Sequence, residues 1–195
     1  MKLNEVTSYA WGNSIELRFG GENNWDEKTF THKWFDENYP NLWQKGGASG
    51  LYWFMIKDKT VQNLIKVKTP VELPKKGTNI VETSKDNLKI FRENLCNSDE
   101  NGLLVIYNGH EKNVFTRIRS HFALNNDLTT AIGFRTYNLS QYDLRVRIFH
   151  HKFEMDDLKE TDKEVVRRLL ETKRGRVAIE QYWRTIYGWP ILCKE

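Results

Sequence analysis

Residues 103–122, LLVIYNGHEKNVFTRIRSHF, put the tightest limit on what this chain can fold into. The stretch opens with an apolar, β-branched run, Leu103 to Tyr107, that reads as a strand. Asn108-Gly109 signals a turn, with Gly109 letting the chain reverse. Asn113 is a reasonable N-cap, and the helix after it carries Arg117 and His121 one turn apart on a single face. A strand handed directly to a helix in this way calls for a sheet with helices packed on it.

Other segments supply the remaining layers. GLYWFMI, residues 50–56, is a second apolar strand, and DLRVRIF, residues 143–149, alternates as a third. SIELRF, residues 14–19, alternates as a half-buried strand. Leu88, Phe91 and Leu95 mark one face of a helix near 85–96, with Ser84 as its cap. Thr161-Asp162-Lys163-Glu164 is a capping-box pattern that opens a helix through about Glu171. Gly175 breaks that helix, and a last one runs from Val177 to Tyr187, closed by Gly188 and Pro190. The fold class is α/β (α+β), a small central sheet of about three strands flanked by helices.

At 195 residues the chain is one domain, or a domain with one large decoration. Its 39% hydrophobic content suffices for a core, and 13% aromatic residues argue against disorder. No apolar run approaches a membrane span, and MKLNEVTSYAW has no apolar signal core, so a cytoplasmic protein without membrane contact is expected. Cys96 and Cys193 are too few and too distant for a disulfide framework or a zinc site, and read as reduced thiols. The net charge of +4 concentrates late in the chain: residues 103–195 carry 16 basic and 12 acidic side chains. This mild bias fits a phosphate-rich partner.

Residues 1–49 hold four of the seven tryptophans, Trp11, Trp25, Trp34 and Trp43, and read as a folded extension packed on a core of residues 50–195. Between the first two core strands lies a long insertion, residues 57–102, with Pro70, Pro74 and a Lys75-Lys76-Gly77 turn.

Gly50-Leu51-Tyr52, then Tyr107-x-Gly109, then Arg117 and His121 ten and fourteen residues past Tyr107, then Glu180-x-x-Trp183: this combination resembles the GIY-YIG nuclease superfamily. The resemblance spans residues 50–56 and 103–122 and the tail near Glu180. It implies a mostly antiparallel sheet and hydrolysis of phosphodiester bonds in double-stranded DNA with a divalent metal, Mg²⁺ or Mn²⁺. Glu180 would hold the metal, which takes oxygen ligands and can complete its shell from phosphate and water. Arg117 would face the scissile phosphate, where a planar guanidinium presents two donors at once. His121 would accept the water's proton or orient a neighbouring tyrosine. Tyr52 would be the general base, and Tyr107 would hydrogen-bond the water or the phosphate.

Each residue also has a plainer reading. Glu180 could pair with Arg184 at i+4 or Arg176 at i−4 on an ordinary helix surface. Strand tyrosines are commonly core residues. Adjacent His150 and His151 face opposite ways on a strand, so they do not make a transition-metal site with His110 and His32. The chain departs from the family pattern in three places, one of them Leu51 in place of isoleucine. Asn108 takes an aliphatic position, and YGWPILCKE lacks the asparagine that many relatives carry after the glutamate.

The added mass before and inside the core favours a site-specific endonuclease of the restriction type. The alternatives are a phage-type or homing nuclease acting on foreign DNA, or an inactive nucleic-acid-binding module of the same fold. The extension and insertion would read the target, with Lys66, Lys68, Lys75 and Lys76 as backbone contacts and Asn79 or Asn87 at a base edge, and Arg119 of the core helix would also bind DNA. Cutting both strands of a palindrome would favour a twofold homodimer.

Overall fold

A computed structural model describes residues 1–18, 37–40, 47–57, 61–66, 77–123, 131–134, 137 and 143–194. Its strands are β1 (Ile15–Arg18), β2 (Gly50–Lys57), β3 (Leu103–Glu111) and β4 (Arg145–His150). Its helices are α1 (Leu3–Gly12), α2 (Ile80–Phe91), α3 (Val114–Ala123), α4 (Glu160–Glu171) and α5 (Lys173–Tyr187). Short 3-10 turns occupy Val61–Lys66 and Arg92–Asn94. No helix among the described residues is long and apolar enough to cross a membrane.

The strands form one α+β sheet in the order β1-β4-β2-β3, with every neighbouring pair antiparallel. It has four strands rather than about three because the SIELRF segment joins it, Ile15–Arg18 pairing with β4. β2 lies between two partners, which explains its unbroken apolar sequence: every residue from Gly50 to Ile56 is buried. Tyr52 and Phe54 face α3, where Phe54 meets His121 and Phe122, and it also packs on Phe134 beyond that helix. Trp53 faces the other way, onto Trp11 of α1 and Trp183 of α5, with ring centroids 5.2 and 6.2 Å away. Contacts of this kind add about 0.5–1.5 kcal/mol each beyond area burial. The extension is thus tied to the core through both β1 and α1.

Several boundaries move for identifiable reasons. β3 does not turn at Asn108-Gly109 but runs on to Glu111. Gly109 is paired with Tyr52 across the strands, and a Cβ there would lie 2.4 Å from the Tyr52 hydroxyl. The glycine supplies room for a phenol rather than a reversal. The helix expected near 85–96 begins at Ile80, and Asn79, not Ser84, caps it by accepting from the Glu82 N–H at 3.2 Å. It ends where Arg92 takes φ 47°, so Leu95 of the expected stripe falls beyond it and bridges to Trp189. The capping box at Thr161 does not form: Lys159 precedes α4 without a side-chain bond, and Asp162 takes the Met1 ammonium at 2.8 Å. Gly175 sits inside α5, which starts at Lys173 under a Thr172 cap. A Cβ at Gly175 would meet the Leu169 carbonyl oxygen at 2.2 Å, so the residue fits the tight corner between α4 and α5.

Lys68, Lys75, Lys76, Trp25, Trp34, Trp43 and His32 lie outside the described residues.

Candidate active site

β3 is an edge strand, and successive residues along it face opposite helical layers. Tyr107 points to α3 and Asn108 to α5, so groups from both layers meet at this edge. The meeting point is a cleft of about 290 Å³ whose wall includes Tyr107, Arg117, His121, Glu180, Arg184 and Lys194. Arg117 also borders a second cleft of about 670 Å³ that contains Lys112, Ser120, His151 and Lys152.

On the α3 side, Asn113 caps the helix as expected, its Oδ1 accepting from the Thr116 N–H at 3.2 Å. Arg117 and His121 then project toward the tyrosines. The Tyr52 hydroxyl and His121 Nε2 are 2.9 Å apart. The His121 and Tyr107 ring centroids are 4.9 Å apart. The Ile132 backbone N–H donates to His121 Nδ1 at 3.2 Å, and the Gly133 N–H to the His121 carbonyl at 2.8 Å. These bonds fix the chemistry of the ring. Burial, with Arg117 adding to it, holds His121 well below its usual pKa, so the ring is neutral. With Nδ1 accepting from the backbone, the proton resides on Nε2 and is donated to Tyr52. Of the two expected roles for His121, orienting a tyrosine is the one this arrangement supports.

Arg117 also hydrogen-bonds Tyr52. Burial pushes the Tyr52 phenol well above its ordinary pKa, Tyr107 adds to the rise, and Arg117 opposes it. Tyr107 is pushed up to about 12, first by burial and then by Cys193, with Arg117 again opposing. The two phenols differ in access: Tyr52 is 1% exposed on the inner strand, whereas Tyr107 lines the cleft. Of the two phenols, Tyr107 is therefore the one open to the cleft.

On the α5 side, Glu180 is buried among partners that sequence reasoning weighed only singly. Arg184 Nη2 binds Glu180 Oε1, and Arg184 Nε donates to Asn108 Oδ1 at 2.9 Å. The Asn108 amide also donates to the Glu180 backbone carbonyl at 3.5 Å. The guanidinium lies over the Trp189 ring, 4.5 Å from its centroid. Asn108, the unexpected polar residue in mid-strand, is therefore the acceptor that holds Arg184 against Glu180. Burial lifts Glu180 to about 7 against the pull of Arg184. Glu180 Oε2 lies 3.6 Å from His110 Nε2. Burial and then Arg176 lower His110 to about 4, so it stands beside the carboxylate as a neutral ring. The i+4 pairing of Glu180 with Arg184 and its place in the cleft are both present. Arg176 instead binds the Ser49 hydroxyl and the carbonyls of Leu170 and Glu171.

Tyr52, Tyr107, Arg117, His121 and Glu180, drawn from β2, β3, α3 and α5, are thus brought together, while the expected base-reading residues are not at this site. Asn87 is 6% exposed, and its amide nitrogen donates to the carbonyls of Ile191 and Cys193 at 2.7 and 2.8 Å. With both amide hydrogens used inside the protein, it is an anchor and not a reader of bases. Asn79 spends its oxygen on the α2 cap, which leaves no paired donor and acceptor for an adenine edge. Lys66 and Arg119 are exposed, and neither lines the cleft. Sequence reasoning missed Asn108, His110, Arg184 and Lys194. The polar residue inside an apolar strand was the signal for the first. Cys96 and Cys193 are free, as expected, and both are buried.

No protein-family model, curated protein or solved structure matches the chain.

Proposed function

We propose that this protein is a metal-dependent, site-specific DNA endonuclease of the restriction type, with a GIY-YIG-like active site. One observation carries the reading: a tyrosine, an arginine, a histidine and a glutamate, Tyr107, Arg117, His121 and Glu180, line one small cleft at the sheet edge, with Tyr52 hydrogen-bonded to the arginine and the histidine just behind it. A structural core has no need of a cation and a carboxylate beside two coupled phenols.

The donor set fits Mg²⁺ or Mn²⁺ held by Glu180 alone among protein groups. Among the described residues, no group of three or more His, Cys, Asp or Glu could hold a metal ion. A hard cation that completes its shell from phosphate and water needs no such group. When bound, it neutralises phosphate charge and polarises the leaving oxygen. Arg184, fixed by Asn108, orients the carboxylate. Arg117 binds the phosphate and favours the ionised form of the adjacent phenols. The attacking water's proton passes to the Tyr107–Tyr52 pair, ionised at one oxygen, as the water oxygen bonds to phosphorus and the leaving oxygen departs. His121 donates to Tyr52 throughout and so stabilises that ionisation.

The extension and insertion are proposed to carry target specificity, and cleavage of both strands would bring two copies together about a palindrome. Incubating the protein with plasmid DNA and Mg²⁺, with and without EDTA, tests the reading. Nicking or linearisation that EDTA abolishes is expected. Glu180→Gln should lower cleavage by about 10²–10³-fold while DNA binding and the melting temperature stay near wild type. A Glu180→Gln variant that cuts within about tenfold of wild type would remove the glutamate from the metal site.

A further inference from the structure

Residues 189–194 are held in place by bonds from two directions. On one side, the Leu192 N–H donates to the Ile106 carbonyl at 2.8 Å and the Asn108 N–H to Cys193 Sγ at 3.4 Å, so the segment covers the outer edge of β3. On the other, the insertion grips it. Trp189 N–H donates to the Asn94 carbonyl at 2.8 Å, Cys96 N–H donates to the Trp189 carbonyl at 3.0 Å, and Asn87 donates to the carbonyls of Ile191 and Cys193. Phe91 stacks on Trp189 with centroids 4.4 Å apart and planes 10° apart. Trp189 Nε1 closes the turn by donating to the Cys193 carbonyl at 2.9 Å. The next residue is Lys194, exposed and part of the wall of the cleft that holds Arg117 and Glu180.

From this arrangement we infer that Lys194 contacts the phosphodiester backbone of the nucleic acid in this cleft, and that the insertion, through Asn87, Phe91 and Asn94, places it there. The inference rests on the endonuclease reading for its ligand. It assigns part of the insertion to building the catalytic cleft rather than to reading sequence. A lysine here adds a point charge to the cleft that also holds the planar fork of Arg117, which suits holding a phosphate without fixing its orientation. The anchoring keeps the segment from having to order when substrate arrives.

The test is binding of a fluorescein-labelled DNA duplex, followed by anisotropy in EDTA over a range of salt concentrations. Lys194→Ala should reduce the slope of log K against log salt by about 0.9, the share of one phosphate contact. Lys194→Arg should keep the wild-type slope. Asn87→Ala should weaken binding, and adding it to Lys194→Ala should weaken binding no further, because both act through one contact. An unchanged slope in Lys194→Ala overturns the phosphate contact. Additive losses in the double variant overturn the placement by Asn87. Wild-type protein that binds no duplex at any salt concentration overturns the nucleic-acid reading itself, an outcome distinct from either of these.

Discussion

The two faces of β3 are assembled in different ways. Tyr107 looks onto a group whose members, Arg117 and His121, follow it within one strand-to-helix passage, completed by Tyr52 across the strand pair. Asn108, its neighbour, looks onto Glu180 and Arg184 and onto the segment around Cys193, all far along the chain. On the first face the chemistry follows from spacing. On the second it follows from tertiary contacts that spacing cannot express. The first should tolerate changes in remote segments, and the second should not.

The largest effect that probes this contrast is expected at Arg117. Arg117→Lys keeps the charge but loses the fork that hydrogen-bonds Tyr52 and is proposed to bind the phosphate, and should cost about 3 kcal/mol in transition-state stabilisation. Single-turnover cleavage measures it. A variant whose loss lies wholly in low-salt affinity would reduce Arg117 to a steering charge.

The pH–rate profile comes next. Tyr52 and Tyr107 both lie above their ordinary pKa, chiefly through burial, so the phenolate is scarce at neutral pH and grows as pH rises. Cleavage should increase by up to about tenfold per pH unit from about pH 7 to about pH 9. Tyr52→Phe should lose most of that slope. A flat wild-type profile would take the phenols out of the proton transfer.

The smallest expected effect lies on the second face. Asn108→Leu restores an apolar strand but leaves Arg184 Nε without its acceptor, at a cost of about 1–3 kcal/mol in stability. Asn108→Asp, which keeps an acceptor, should lose less. Thermal melting compares them, and a leucine variant as stable as wild type would show that Arg184 finds another partner.

The same contrast explains what could be read from the sequence. The sheet strands, Tyr52, Tyr107, Arg117 and His121 were legible because period and spacing encode them. Glu180 was legible only together with Trp183 and the upstream motifs. α1 was not, because the residues it buries, Val6, Thr7 and Ala10, are small and partly polar and leave a faint stripe. Gly109 read as a turn because its one-dimensional signature does not distinguish reversal from room for a neighbour's hydroxyl. Asn87 read as a surface amide because nothing local announces that two carbonyls about a hundred positions later will claim its hydrogens.

The insertion between β2 and β3 has a further consequence, in the order of folding. No pair of adjacent strands in this sheet is joined by a short turn: β2 ends at Lys57 and β3 begins at Leu103, while β4, which pairs with β1 and β2, begins only at Arg145. Every pairing must first close a long loop, an entropic cost that no local hairpin defrays. Such topologies fold toward the slow end of the range, in milliseconds to seconds. The cleft needs β2, β3, α3 and α5 together, so it is complete only when the most distant of these closures has been made. A partly folded chain would then carry the strands and helices of this protein without the cleft.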